Sequence, residues 1–195
     1  LGKDGYLDIN GKKISHKKVL PEAVKEIYQN HEVAAHTLTH PFLTQQTDEE
    51  VTRQVEQDRQ NLSKLVGYNV RGFAYPGGGV NYNAPVADVI AKTTGVEFPR
   101  TIMCSYNFDL QSDMYTFKPT ISFIKEKDKI LELCHEFTEL QTDEPKLFYI
   151  WGHSYEMDIN DDWDFAENVL SMLSGKNDIL YCTNTEAFDY IKANI

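Results

Sequence analysis

The 195-residue chain lacks long hydrophobic runs: no stretch approaches the eighteen or so apolar residues that a bilayer-spanning helix needs. Cationic charge is also scarce, with 19 basic side chains against 30 acidic ones and a net charge of -11. Such a surface repels phosphate backbones and anionic lipid, which excludes nucleic acid and membrane headgroups as expected partners. Cysteine is sparse. Cys104, Cys134 and Cys182 are odd in number, far apart and form no CxxC pair, so neither a disulfide framework nor a thiolate zinc site is expected. Free thiols favour a cytoplasmic setting, with a secreted or cell-wall location as the alternative. The opening, LGKDGYLDINGKKIS, has no Met and no apolar signal-peptide core. It reads as the middle of a polar loop, so further residues are expected ahead of it.

What is present is an ordinary globular composition, 41 % hydrophobic and 12 % aromatic, sufficient for one domain over 1–195 with a sizeable core. Helical spacing marks 21–30, 47–67, 84–95, 127–140, 164–174 and 186–195. The strongest is 47–67: Thr47 and Glu50 form a capping-box pattern, Val51, Val55, Leu62, Leu65 and Val66 make an apolar stripe, and Gly67 stands at the C-terminal cap. Short apolar runs at 31–36, 69–75, 96–103, 146–153 and 178–184 read as strands. Strand and helix alternate through short connections, which predicts an α/β fold with a parallel sheet covered by helices.

In that architecture functional groups collect at the carboxyl ends of strands. Three predicted strands end in chemically suggestive residues, and their convergence on one face is the expectation from the residues alone. HTLTHP (36–41) places His36 and His40 four apart, about one helical turn, with Pro41 preventing a long regular helix. The pair suits half of a metal site, where two neutral imidazoles and a carboxylate leave water positions open, and equally suits two solvated histidines. RGFAYPGGG (71–79) bends sharply after its strand and can point backbone N–H groups at a developing oxyanion, or be a plain glycine turn. FYIWGHSYE (148–156) sets His153 beyond an apolar strand, either as a proton donor near neutral pH or as a histidine bonded to backbone. Tyr75, Trp151 and Tyr155 could stack on a sugar ring or pack in the core.

Taken together, HEVAAHTLTHPFL, the capped helix, GYNVRGFAYPGGG and the later YIWGHS resemble the polysaccharide deacetylases of carbohydrate esterase family four. The resemblance extends to GKDGYLDINGKKISHKKV and DILYCTNTEAFDYI, and the WGHSYE stretch is similar to that of one bacterial subgroup. It implies a distorted parallel (β/α) barrel, incomplete here at its N-terminal strands. His36 and His40 are implied as ligands of a divalent metal, zinc foremost, with cobalt or nickel possible. Tyr75, Pro76 and Gly77 are implied to line the substrate groove, with the Gly77 N–H as oxyanion donor, and His153 as the catalytic acid. The implied reaction is metal-assisted hydrolysis of N-acetyl or O-acetyl groups on a glycan or a small amide.

The chain departs from the family in two places. The family's aspartate pair, which supplies a third ligand and the general base, should precede the histidine motif by some fifty residues; only 35 residues precede His36, and none carries the pattern. NDDWD (160–164) follows His153 and reads as a loop and helix start. Ala74 occupies a place where many members carry an arginine, for which Arg100 is the substitute this sequence offers. A missing carboxylate weakens metal binding, and a missing base lowers water activation by roughly 10²- to 10⁴-fold. The alternative is therefore a catalytically inactive, glycan-binding relative. Incomplete sheet edges also point to a homo-oligomer.

Overall fold

The structure, a computed structural model, describes residues 5–79 and 81–194. Leu1–Asp4 of the polar opening and Ile195 of the predicted last helix lie outside the described residues. The chain divides into two compact units, one formed by Leu1–Val19, Cys104–Asp109 and Pro119–Leu180, the other by Leu20–Met103, Leu110–Lys118 and Tyr181–Ile195.

The second unit holds helices α1 (Pro21–Ile27), α2 (Asp48–Val66), α3 (Ala84–Thr93) and α7 (Asn184–Asn194), with strands β3 (Gly72–Ala74) and β4 (Phe98–Arg100). Helix α2 forms as its sequence dictates. The Thr47 side chain accepts from the Glu50 N–H, three acidic residues complement the positive helix start, and Gly67 closes the other end at φ 86°. Strands β3 and β4 pair in parallel, and single bridges join Ala35 to Phe73 and Arg100 to Phe117. The core gathers Ala35, Leu43, Val55, Val70, Phe73, Tyr75 and Ile90. Phe98 stacks on Phe188 of α7, with ring centroids 4.5 Å apart, and so ties the last helix to the sheet.

Between α2 and α3 stands a polar clamp. Arg59 donates to both carboxylate oxygens of Glu56, which also accepts the Gly95 N–H at 2.8 Å. A side chain at Gly95 would meet the Arg59 guanidinium at 2.7 Å, so only glycine allows the arginine this close. The Arg59 bond, above all, holds the Glu56 carboxyl down from its ordinary 4.5 to about 2. A depressed acid contributes stability that is complete above 4.5 and is lost as pH falls from there through about 2. Glu56→Gln is expected to cost about 1–2 kcal/mol at pH 7 and less at pH 3. Urea unfolding at the two pH values reads this, and an equal cost at both would contradict it.

The first unit opens with a hairpin, β1 (Tyr6–Ile9) and β2 (Lys12–Ser15), where a polar loop is the sequence expectation. Its turn is Asn10-Gly11, both at positive φ, 52° and 80°, the pairing that a two-residue hairpin turn requires. Strands β5 (Ile121–Ser122) and β6 (Ile150–Trp151) pair in parallel beside helices α4 (Lys127–Glu139), α5 (Ser154–Asn160) and α6 (Trp163–Leu173). Ile121, Ile130, Leu133, Cys134 and Val169 form its core. NDDWD falls at helix ends: Asp161 closes α5 at φ 59°, and the buried Asp162 precedes α6 and pairs with Lys127.

The fold is thus mixed α/β, and among the described residues its sheets are two-stranded, with no closed barrel. Three predicted strands shrink for visible reasons. In 31–36 only Ala35 exchanges bonds with β3, because the Val33 N–H is taken by the Tyr68 hydroxyl at 2.8 Å. In 146–153 the Tyr149 N–H goes to the Thr120 hydroxyl. The stretch 178–184 is irregular, with Leu180 and Tyr181 exposed and the Thr183 N–H held by Glu186 at the start of α7. Among the described residues no helix is long and apolar enough to cross a membrane.

Candidate functional site

HTLTHP is held in a compact turn against α2. Gln54, 2 % exposed, accepts the Leu38 N–H with its carbonyl, accepts the Thr39 N–H with its side chain, and donates back to the Thr39 hydroxyl. One turn further along α2, Asp58 accepts the His36 N–H at 2.8 Å. Burial raises the Asp58 carboxyl above its ordinary value, and the backbone N–H groups of His36 and Thr37 pull it back down. Both residues lie on the buried stripe of α2, where a polar side chain needs a partner. Polar residues at 54 and 58 amid Val51, Val55 and Leu62 are the signal in the sequence that could have identified them.

The turn is also strained. Thr37 and His40 sit at φ 73° and 58°, a region costly for residues with a Cβ and most of all for a β-branched one. The Thr37 hydroxyl accepts the His40 N–H at 3.1 Å and so braces it. The result brings the two imidazoles edge to face, with centroids 4.9 Å apart.

Each ring has a defined orientation. His36 Nδ1 lies 2.7 Å from the Ala74 carbonyl oxygen, which only accepts, so Nδ1 carries the proton and the neutral ring has its lone pair on Nε2. Metal-ligating histidines are commonly set by such a bond. His40 Nε2 faces the Gly77 N–H at 3.4 Å. Gly77 is at φ 79°, and a side chain there would meet the Phe42 ring at 3.0 Å. Imidazole nitrogens sharing one tetrahedral zinc stand about 3.3 Å apart, within reach of two rings so placed. The pair fits two ligand places of a divalent ion. Among the described residues no group of three or more His, Cys, Asp or Glu side chains could hold a metal.

Tyr75 and Pro76 are buried. The Tyr75 ring is core, 1 % exposed, and its hydroxyl donates to the Tyr115 carbonyl at 2.9 Å; burial pushes the phenol up. Of its two expected roles, packing is the one its ring performs. Ala74 is paired in register with Arg100, so the two project from the same face of β3–β4. The structure therefore brings His36, His40 and the Tyr75–Gly77 turn together in one unit.

His153 belongs to the other unit. It sits at the start of α5 with its ring 45 % exposed, and its Nδ1 lies 2.9 Å from a Glu156 carboxylate oxygen that also accepts the His153 N–H. That carboxylate fixes Nδ1 and leaves Nε2 as the other ring nitrogen. Trp151 and Tyr155 lie against it, with ring centroids 5.9 and 5.1 Å from that of His153, and His16 stands edge-on to Tyr155 at 4.7 Å. His16 has no counterpart among the sequence expectations.

Residues 8–98 match the family model described as polysaccharide deacetylase. The span takes in His36, His40 and Tyr75–Gly77 and ends before His153. Over that span the chain is similar to the polysaccharide deacetylases. Among solved structures it is similar to the Streptococcus pyogenes deacetylase PplD in complex with acetate, at 24 % identity and a TM-score of 0.39, over 45 % of this chain and 38 % of that one. It is also similar to a CE4-family pseudoenzyme from Bacillus anthracis, at 18 % identity and a TM-score of 0.44, over 75 % of this chain and 44 % of that one. The chain spans less than half the length of either. No curated protein matches it.

Proposed function

We propose that the chain carries part of a metal-dependent deacetylase centre that hydrolyses acetyl groups, N-linked foremost, on a glycan or a small amide. One observation supports this above the rest: the nitrogen of a candidate ligand, His40 Nε2, and the candidate oxyanion donor, the Gly77 N–H, face each other across 3.4 Å. The Gly77 N–H donates to His40 Nε2, and an ion taking up that lone pair would leave the N–H free to donate to an acetyl carbonyl oxygen beside it.

His36 and His40 would hold a divalent ion, zinc first and cobalt or nickel as substitutes. When bound, it supplies Lewis acidity toward the carbonyl and a lowered pKa for water. His36 presents Nε2 because Ala74 fixes Nδ1, and the Gly77 N–H donates to the carbonyl oxygen as it becomes anionic. His153, oriented by Glu156, would give a proton from Nε2 to the departing amine. Arg100, in register with Ala74, is the cation this chain offers where relatives place an arginine. The β3–β4 pair with its two single bridges is read as part of an incomplete (β/α) barrel.

A second reading has its own observation. No group of three or more His, Cys, Asp or Glu side chains that could hold a metal stands among the described residues. The second reading is a catalytically inactive domain that binds acetylated glycan. The partner is an acetylated glycan or small amide in both readings, and the acidic balance disfavours nucleic acid and membrane. Acetate release from acetylated chito-oligosaccharides, with zinc and with a chelator, separates them. The deacetylase reading expects release that the chelator lowers at least ~100-fold. Substrate binding with no release at any zinc concentration supports the inactive one.

A further inference from the structure

We infer that Asn81 is the positioning residue that aims the Gly77 N–H, an inference that rests on the proposed oxyanion role of Gly77. Asn81 is fully buried, 0 % exposed, three residues ahead of the first residue of α3. Its Nδ2 donates to the Tyr75 carbonyl at 3.2 Å and to the Gly77 carbonyl at 3.0 Å. Those carbonyls flank the Pro76–Gly77 peptide, the one that carries the Gly77 N–H. The direction of that N–H depends on two torsions, ψ of Pro76 and φ of Gly77. Fixing the carbonyl on either side leaves both little freedom, and Pro76 removes its own φ as a variable.

Asn81 Oδ1 is buried and has no hydrogen-bond partner among the described residues. Leaving it so costs about 1–3 kcal/mol. Two accepting carbonyls admit only the amine side of the amide, so reversing the group would set oxygen against oxygen. The Asn83 side chain accepts the Val86 N–H at 2.9 Å and anchors the same segment to α3. This donor pair is the side-chain link from the helix start back to the turn that faces His40, beside a backbone bond from the Asn81 N–H to the Gly79 carbonyl at 3.1 Å. Removing the donors should free the Gly77 peptide without touching an imidazole.

The test is Asn81→Asp in the full chain without metal, since aspartate keeps the shape and loses both donors. Wild-type protein should show a nuclear Overhauser contact between the Gly77 amide proton and the His40 ring. The variant should lose that contact at an unchanged fold, judged by the remaining amide spectrum. In acetate release, kcat should fall about 10²-fold with KM within threefold, as misaimed donors act on the transition state. Should the variant not fold, exchange of the Asn81 side-chain amide in wild-type protein decides: slowing of at least tenfold against free asparagine, about what a buried hydrogen bond produces, supports the inference. A retained Gly77–His40 contact in the variant, or side-chain exchange at the free rate, overturns it. A wild-type chain that releases no acetate defeats the deacetylase reading alone, because the Overhauser contact still reports what Asn81 holds.

Discussion

His36→Ala is expected to weaken zinc binding by at least ~100-fold, the largest effect of any single change at the site. The substitution removes a ligand and also leaves the Ala74 carbonyl without the Nδ1 proton that reaches it at 2.7 Å. His40→Ala should do likewise, whereas His31→Ala, at an exposed residue before the turn, should change nothing. Calorimetric titration with zinc measures all three. Equal affinities for wild type and His36→Ala would show that the imidazole pair is not the metal site. Two ligands hold an ion less firmly than three, so the wild-type affinity itself should lie below that of sites with a full ligand set.

Gly77→Ala is expected to lower kcat for acetate release by about 10²-fold while zinc affinity stays within threefold. The glycine occupies left-handed backbone at φ 79°, where a Cβ costs about 1–2 kcal/mol. That Cβ would also press on Phe42 Cε1 at 3.0 Å. The left-handed backbone resists a Cβ, so the turn rotates and moves the N–H from its place opposite His40. Gly78→Ala is the control, because a side chain there meets nothing within 4 Å. Matching losses in the two variants would mean that the turn tolerates no side chain anywhere, and the special role of the Gly77 N–H would fall.

Local chemistry made some of this legible in the sequence. Helix α2 announces both its ends through Thr47 and Gly67, because caps depend on neighbours a few residues away. The His36–His40 pair and the turn at Gly77 were likewise readable from residue type and order. The hairpin 6–15 was legible too, through Asn10-Gly11, but lysines and a polar opening disguised it as loop. The predicted strands were too long because hydrophobicity says what is buried and not which donor a backbone N–H will find. Tyr68 and Thr120 each took one that a neighbouring strand would otherwise have used. Gln54 and Asp58 stand out on the apolar stripe of α2, but their partners, 15 and 22 residues away, become visible only in the fold. Asn81 has no such stripe around it to mark its burial.

The most direct measurement is the histidine ring nitrogen spectrum of the 15N-labelled chain during zinc addition. The account predicts that Nε2 of His36 and of His40 shift together, saturating at one ion per chain, and that the Gly77 amide shifts with them. Zinc that perturbs other histidines, or leaves these two rings unmoved, would contradict it.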